Sequence, residues 1–297
     1  LAALLREGGQ TNMARLLEAI QVLLDGTPPE IEQIEVVPLP DPFPWDWQDD
    51  VGATVGVVLY RAQLQAGDTA LAQQLNLALR KRGLRPRLIW VSSLRDPAVQ
   101  AGVLDLLRSQ GVQVVITGTA FASVTTEQAG LGSALWDSLD RPVLQLLTAG
   151  TSRERWQQSS RGLEPLDLSL QVVMPELDAR LTTRPCAFRQ ARPPLGELAT
   201  AITTQQPDRD GINWVVEHAD RWIDLQDTPA KHRRVAMVLA NYPVRDGRVA
   251  NGVGLDTPAS VVNIIGWLAD EGYQLGEHPI PANGDRLIAS LLAGRTN

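Results

Sequence analysis

The sequence predicts an α/β fold in which short strands alternate with helices and form parallel sheets. Three observations carry this prediction. Apolar runs of strand length recur from residue 54 onward, helical periodicity fills the intervals between them, and glycines follow the helices. We expect two Rossmann-like or periplasmic-binding-like units, the second of them incomplete at residue 297.

Residues 1–50 precede the alternating pattern. Apolar residues at helical spacing over residues 4–24 predict two short helices, separated by Gly8 and Gly9. Residues 28–50 are rich in proline and tryptophan, a composition that disfavours regular structure. We therefore interpret this part of the chain as a helical segment followed by a linker or strap.

The first α/β domain is predicted over residues 51–195. Its predicted strands are Thr54–Tyr60, Arg87–Ser92, Val112–Thr117 and Pro142–Leu147. Its predicted helices are Asp68–Arg82, Pro97–Gln110, Ser133–Leu139 and Arg153–Gly162. Gly83 and Gly111 follow the first two helices as C-terminal caps. An extended region is predicted at residues 168–188, with strands at Val172–Met174 and Leu181–Thr183.

The second α/β domain is predicted over residues 196–297, after a boundary at Pro193-Pro194. Its predicted elements are a helix from Ile212 to about Leu225, a strand at Arg234–Ala240 and a helix between Asp256 and Gly272. A strand, a polar loop, an Asp-Thr pair at the helix start and a closing glycine follow one another in this segment. The same order occurs in the first domain, where Asp68 begins the helix and Gly83 follows it. Duplication of an α/β unit and repeated use of common caps both explain it. We interpret both chain ends as cuts in a longer protein.

Composition excludes several classes of function. A net charge of −7 and a pI near 5.1 argue against nucleic-acid binding, which needs a basic surface. Cys186 is the only cysteine, so an internal disulfide and a Cys-x-x-Cys zinc site are excluded, and a reducing cytoplasmic setting fits. No apolar run approaches the ~20 residues of a membrane-spanning helix.

A polar loop over residues 241–256 is the main candidate binding site. It lies between a predicted strand and a predicted helix N-terminus, which is where open α/β sheets bind ligands. Helix amides together with arginines favour an anionic ligand. The candidate residues are Asn241, Arg245, Asp246, Arg248, Asn251 and Asp256. The alternative is an ordinary surface loop held together by its Asn and Asp side chains.

Two further loops follow predicted strands of the first domain. Arg61 comes directly after the first strand, while Ser152 and Arg153 follow the fourth. Parallel strands end at one edge of a sheet, so both arginines could face one crevice. The alternative is that the arginines are solvated and the Ser152 hydroxyl only caps a helix.

Common catalytic and nucleotide-binding motifs are absent from the sequence. The three histidines are scattered, and no His-Glu-x-x-His motif, Gly-x-Ser-x-Gly elbow or Gly-x-x-x-x-Gly-Lys-Ser/Thr loop occurs. Gly252 and Gly254 begin a dinucleotide-like pattern, but the third glycine position is Thr257. We therefore expect no ATP hydrolysis by this chain, and the sequence identifies neither a catalytic residue nor a metal ligand.

Four strings, taken together and in order, resemble the large subunit of cobaltochelatases. They are VGVVLYR (Val55–Arg61), VVITGTAFAS (Val114–Ser123), the segment Val143–Pro185 and RRVAMVLANYPVRDGRVANGVGLDTPASVV (Arg233–Val262). The resemblance is co-linear from about residue 51 to residue 297. The related magnesium chelatase large subunits share the architecture but lack the Asn-Tyr-Pro-x-Arg-Asp-Gly-Arg pattern, so the resemblance favours cobalt.

The resemblance implies a much longer cytoplasmic protein that acts in aerobic cobalamin biosynthesis. Its substrates would be Co²⁺ and the corrin hydrogenobyrinic acid a,c-diamide. Two partner subunits, one of them an AAA+ ATPase, would hydrolyse ATP. The 297-residue chain alone is expected to lack chelatase and ATPase activity.

Two other functions compete with this interpretation. One is a magnesium or nickel chelatase subunit that acts on another tetrapyrrole. The other is a non-catalytic binding module with two lobes, because periplasmic-binding-like domains have a similar strand and helix pattern. The co-linear strings favour the chelatase family over the binding module.

Overall fold

The computed structural model describes residues 1–26, 34–49, 51–124, 134–193, 202–240, 250, 252, 254–277 and 279–294. Contacts divide the chain into two compact units, Leu1–Ile223 and Asp224–Asn297. The first unit contains the β-sheet. The second contains two longer helices and a short 3-10 helix in its described part.

A seven-stranded mixed sheet forms the centre of the first unit. The strands are β1 (Phe43–Trp45), β2 (Thr54–Tyr60), β3 (Arg85–Val91), β4 (Val114–Thr117), β5 (Val143–Ala149), β6 (Leu181–Arg192) and β7 (Ile202–Pro207). Their spatial order is β1-β3-β2-β4-β5-β6-β7. The five strands from β2 to β6 are parallel, whereas β1 and β7 add antiparallel edges. The predicted α/β class with a parallel sheet is confirmed for this unit.

The central strands are apolar because helices cover both faces of the sheet. In β2 the first six residues are buried. Val57 packs in the hydrophobic core on one face of the sheet. The adjacent Val58 packs in the core on the opposite face. Alternate residues of a strand point to opposite faces, so a strand covered on both sides reads as a continuous apolar run. This property made β2 recognisable in the sequence.

The helices of the first unit connect and cover the strands. They are α1 (Ala2–Glu7), α2 (Gly9–Leu24), α3 (Arg61–Gln65), α4 (Ala70–Lys81), α5 (Pro97–Ser109), α6 (Ala134–Leu139), α7 (Arg153–Gln158), α8 (Pro165–Leu168), α9 (Met174–Glu176) and α10 (Arg209–Asp227). Helices α4 and α10 lie on one face of the sheet, and α5 and α6 lie on the other. Gly83 and Gly111 have positive φ values of 84° and 62° after α4 and α5. The predicted glycine caps are therefore confirmed.

The proline-rich strap is anchored to the edge of the sheet. Its strand β1 pairs with β3, and the Trp47 indole N–H donates to the Leu88 carbonyl at 2.8 Å. Asp46 accepts hydrogen bonds from Asn76 at 2.6 Å and from Arg80 at 3.1 Å, both on α4. The strap therefore includes a short strand, which its proline content did not predict.

The strand predicted at Val172–Met174 is wrong. A π-helical turn, Ser169–Val173, joins α8 to α9 in this region. Strand β5 already pairs with β4 and β6, so no adjacent sheet edge is open to these valines. Valine favours a strand only where a neighbouring strand can receive it. The predicted strand at Leu181–Thr183 is confirmed as the start of β6, parallel to β5.

The first unit extends beyond the predicted boundary at residue 195. Strand β7 pairs with β6 over residues 202–207, and α10 packs its buried Val215 and Ala219 against the sheet core. Gly211 permits this packing, since an added Cβ would lie 1.9 Å from the carbonyl oxygen of Pro185. The compact unit consequently ends at Ile223.

The described part of the second unit is helical. It contains a 3-10 helix (Ala230–His232), α11 (Thr257–Asp270) and α12 (Gly284–Ala293). The predicted helix start is confirmed, because the Asp256 carboxylate accepts from the Ala259 N–H at 3.0 Å. Gly272 follows α11 with φ of 80°.

The strand predicted at Arg234–Ala240 is not formed among the described residues. Val235 and Val238 are 56% and 94% exposed. A strand needs a partner for its backbone N–H and C=O groups, and no described segment pairs with this apolar run. The division of the chain into two α/β domains stays a prediction.

Candidate functional site

The strand order places a candidate site at the carboxyl edge of the sheet, between β2 and β4. From β2 the chain crosses to β3 on one side and then returns across β2 to β4 on the other. The connections diverge at this point, which is where open α/β sheets form their ligand crevice. Helix α3, which directly follows β2, and the loop that follows β4 border this crevice.

Tyr60, the last residue of β2, links this strand to the loop after β4. Its hydroxyl donates to the carbonyl oxygen of Ala120, in the loop after β4, at 2.8 Å. Burial raises the pKa of Tyr60, while the positive charge of Arg180 and the hydrogen bond to Ala120 oppose this shift. Tyr60 is therefore held in the neutral form, as a hydrogen-bond donor to the loop.

A fully buried ion pair lies beneath the loop after β4. Asp178 and Arg180 are joined at 2.6 Å, and both side chains have 0% exposure. The Asp178 carboxylate also accepts from the backbone N–H of Ser123 at 2.7 Å and from that of Val124 at 3.4 Å. The acid thus anchors the loop at residues 123 and 124.

Arg180 anchors the start of the same loop. It donates to the carbonyl oxygen of Thr119 at 2.9 Å and to the side-chain oxygen of Gln145 at 3.1 Å. Gln145 in turn donates to the same Thr119 carbonyl at 3.1 Å. Burial lowers the pKa of Arg180, and Asp178 opposes this shift. Because arginine starts from a very high pKa, the pair stays ionic and fixes the loop.

Phe121 lies within the loop, in an unusual conformation. Its φ of 64° is positive, and its side chain is 39% exposed. Its backbone N–H donates to the Leu170 carbonyl of the π-helical turn at 2.9 Å. A bulky residue with positive φ costs free energy and persists where the surroundings determine it, commonly at functional sites. Phe121 thus marks the loop as a candidate ligand-facing element.

The structure gives Arg61 and Arg153 separate partners. Arg61 donates to the Leu39 carbonyl of the strap at 2.8 Å. Arg153 pairs with Asp208 at 2.7 Å and Asp210 at 3.3 Å, next to the start of α10. The predicted shared crevice for the two arginines therefore stays a prediction.

Ser152 and Asp256 cap helices. The Ser152 hydroxyl accepts from the Arg155 N–H at 3.3 Å at the start of α7, and Asp256 caps α11. Hydrogen bonds of this kind satisfy helix N–H groups that have no partner within the helix. The other candidates lie outside the described residues: Asn241, Arg245, Asp246, Arg248 and Asn251.

The sequence did not single out Tyr60, Thr119, Asp178 and Arg180 as a cluster. Asp178 and Arg180 stand just before strand β6, which is buried only at its centre. The sequence predicted both residues to lie within an extended region, between the strands predicted at 172–174 and 181–183, and local sequence does not reveal that their partners are Ser123, Thr119 and Gln145.

Two features are absent from the described residues, a cluster of metal-binding side chains and a membrane-spanning helix. No group of three or more His, Cys, Asp or Glu residues with metal-binding geometry occurs there. No helix in the described ranges is both long and apolar enough to cross a membrane.

Comparisons with known proteins identify relatives of the chain. The CobN/Magnesium Chelatase family model matches residues 2–297. The aerobic cobaltochelatase subunit CobN of Sinorhizobium sp is 39% identical over 245 residues, which make up 82% of this chain and 19% of that protein. The same subunit of Pseudomonas aeruginosa is 37% identical over 252 residues, or 85% and 20% of the two chains.

More distant relatives extend the comparison. A magnesium-chelatase subunit of Rhodobacter capsulatus is 26% identical over 265 residues, which make up 82% of this chain and 21% of that protein. Among solved structures, the catalytic subunit of cobaltochelatase from Mycobacterium tuberculosis matches with a TM-score of 0.78 and 27% sequence identity. The match covers 98% of this chain and 24% of the solved chain. The chain thus spans about a fifth of the length of the curated relatives it matches.

Proposed function

Because the chain belongs to the CobN/magnesium chelatase family, we propose that it is part of the large subunit of a cobaltochelatase, which inserts Co²⁺ into a corrin ring. One observation carries the choice of metal. Identity to two aerobic cobaltochelatase subunits exceeds identity to the magnesium-chelatase relative by more than ten percentage points over similar lengths.

The proposed substrates are Co²⁺ and hydrogenobyrinic acid a,c-diamide. Insertion requires that Co²⁺ lose bound water and that the ring nitrogens lose protons, so the protein must hold the ring in a fixed pose. ATP hydrolysis is assigned to an AAA+ ATPase subunit and its co-subunit, in the cytoplasm. This chain, on its own, is proposed to be inactive.

Substrate recognition is proposed at the segment 241–256. The ring periphery carries carboxylates and amides, and arginine recognises a carboxylate through two parallel hydrogen bonds. Arg245 and Arg248 would bind the carboxylates, while Asn241, Asp246 and Asn251 would bind amides. Asp256 supports the segment from its end, because its carboxylate caps α11.

The carboxyl edge of the first unit is proposed as a second contact region. Phe121 offers an exposed aromatic face on a loop that the Asp178–Arg180 pair holds in place. Arg61 begins α3 directly after β2, while Ser152 and Arg153 begin α7 shortly after β5, so all three follow the carboxyl ends of parallel strands. Their present partners mean that any contact with substrate requires an exchange of hydrogen bonds.

The test compares two tetrapyrroles with the full-length protein. Quenching of tryptophan fluorescence would give the affinity for hydrogenobyrinic acid a,c-diamide and for protoporphyrin IX. We expect the corrin to bind at least ten-fold more tightly, and cobalt insertion to require the partner ATPase. Tighter binding of the porphyrin, with magnesium insertion, would instead support a magnesium chelatase function, which the similarity to the Rhodobacter capsulatus protein makes the second candidate.

A further inference from the structure

A groove on one face of the first unit lies outside the candidate site. It has a volume of about 800 Å³ and runs between α4 and α10. Both helices pack onto the same face of the sheet through buried residues such as Leu75 and Val215. The carboxyl-edge loops do not contribute to its lining.

Each helix contributes one stripe of side chains to the groove. On α4 the stripe includes Ala70, Gln74 and Ala78, which are spaced four residues apart. Residues at this spacing lie on one helix face. The two alanines have small side chains and leave space above this face of α4. Leu77, next to Ala78, also lines the groove and is 60% exposed. The groove therefore offers an apolar wall that the described part of the chain leaves uncovered.

The rim of the groove is basic. Four charged residues line it: Lys81, Arg82, Arg209 and Glu217. Glu217, the one acid, lies 3.8 Å from Arg221 on its own helix. Three of the four charges are therefore positive, on a protein whose net charge is −7.

The basic residues have different roles. Arg82 pairs with Asp220 at 2.7 Å and so ties α4 to α10 at one end of the groove. Lys81 and Arg209 are exposed and have no hydrogen bond or ion pair with another described residue. These two charges are available to a ligand.

The groove dimensions match a helix of about three turns. Helix α4, which forms one wall, extends over about 18 Å at 1.5 Å per residue. A groove between two helices, with an apolar wall and charged ends, is the usual receptor for an amphipathic helix. Opposite charge on the ligand would speed association and select its orientation.

We propose that the groove between α4 and α10 docks an acidic amphipathic helix of a partner protein. The apolar side of that helix covers Leu77 and Ala78, and its acidic flank pairs with Lys81 and Arg209. The proposal does not depend on which tetrapyrrole or metal the protein handles. It assigns a protein-binding role to a face that the proposed substrate contacts do not use.

The test uses a fluorescein-labelled 18-residue peptide with leucines at helical spacing and glutamates on both flanks. Fluorescence anisotropy would measure its affinity for the full-length protein at low salt. We expect the double variant Lys81→Glu, Arg209→Glu to bind at least ten-fold more weakly. Lys231→Glu is the matched control, since Lys231 is the other lysine and lies outside the groove; it should bind as the parent does.

Three further measurements decide the outcome. A peptide with lysines in place of the glutamates should bind at least ten-fold more weakly than the acidic peptide. Circular dichroism checks folding, and Lys81→Gln, Arg209→Gln replaces the double variant if that variant unfolds. The proposal is overturned if both peptides bind equally, if the groove variants bind like the parent, or if suberate at millimolar concentration displaces the peptide. Displacement by suberate would indicate a site for small dicarboxylates.

Discussion

Replacing Asp178 by alanine should destabilise the protein far more than the loss of an ordinary ion pair. Asp178 accepts three hydrogen bonds, from Arg180, Ser123 and Val124. Its removal leaves the Arg180 charge in a site with 0% exposure. The backbone N–H groups of Ser123 and Val124 lose their acceptor at the same time.

The expected cost follows from these losses. Removing one partner of a buried ion pair costs about 3–5 kcal/mol, because the other charge stays buried without compensation. A cost of about 4 kcal/mol lowers the folding equilibrium constant by about a thousand-fold, since about 1.4 kcal/mol corresponds to ten-fold. The matched control is Glu164→Ala, which breaks the ion pair between Glu164 and Arg155. The side chains of Arg155 and Glu164 are 72% and 43% exposed. Exposed pairs contribute about 0.2–1 kcal/mol.

The assay is urea denaturation followed by circular dichroism, with hydrogen exchange at the loop amides. The Asp178→Ala variant should also exchange the amides of Ser123 and Val124 faster. The double variant Asp178→Leu, Arg180→Met should lose less stability than Asp178→Ala, because it removes the isolated charge together with its partner. If Asp178→Ala costs no more than Glu164→Ala, the buried pair does not hold the loop and the reasoning is refuted.

Three other expectations follow from named contacts. Burial raises the pKa of Cys186 to about 12, so iodoacetamide at pH 8 should leave the native thiol unmodified and label it after unfolding; labelling of the folded protein would contradict this. Gly211→Ala should cost about 1–3 kcal/mol in the free energy of unfolding because its Cβ meets the Pro185 carbonyl. Gly266→Ala, with no atom within 4 Å of its Cβ, should cost nothing in the same urea denaturation assay; equal effects would refute the steric argument. Arg245→Ala or Arg248→Ala in the full-length subunit should weaken corrin binding by about 10- to 150-fold if one charge-assisted hydrogen bond is lost, and unchanged affinity in folded variants would remove the loop from the proposed site.

The elements that the sequence predicted well are those whose signal is local. Strand β2 was predicted with its observed ends, Thr54 and Tyr60, because a strand buried on both faces is continuously apolar. Helices α4 and α5 end next to glycines that adopt positive φ, so their ends were also visible. These features depend on burial and on backbone conformation close by in the chain.

The elements that the sequence missed depend on distant partners. Strand β7 is mostly polar and has no buried residue, and its pairing with β6 makes it a strand. Val172 and Val173 show the reverse case. Valine has a high strand propensity, but these two residues lie in a π-helical turn because no open sheet edge is next to them. Strand preference is largely a property of the surrounding sheet.

The same reasoning applies to the candidate site. Position after a strand identified Arg61 and Arg153 as candidates, but their partners are Leu39 and Asp208, which are remote in sequence. Asp68, predicted to help start α4, instead accepts a hydrogen bond from the Gln205 N–H of β7 at 3.0 Å. A charged side chain in a loop does not reveal whether the fold or a ligand will use it.

The two antiparallel edge strands, β1 and β7, also affect whether copies of the protein can associate through strand pairing. An uncovered edge strand presents unpaired N–H and C=O groups that can template a strand of another molecule. Here β1 pairs with residues 88–90 at the outer edge of β3. On the other side β7 pairs with residues 187–192 of β6, and the Asp68 carboxylate accepts from the Gln205 N–H of β7. Pro207 ends β7 with a residue that has no N–H to offer. The strap and β7 thus protect a strongly apolar sheet against self-association, and loss of the strap would open the β3 edge to strand pairing between molecules.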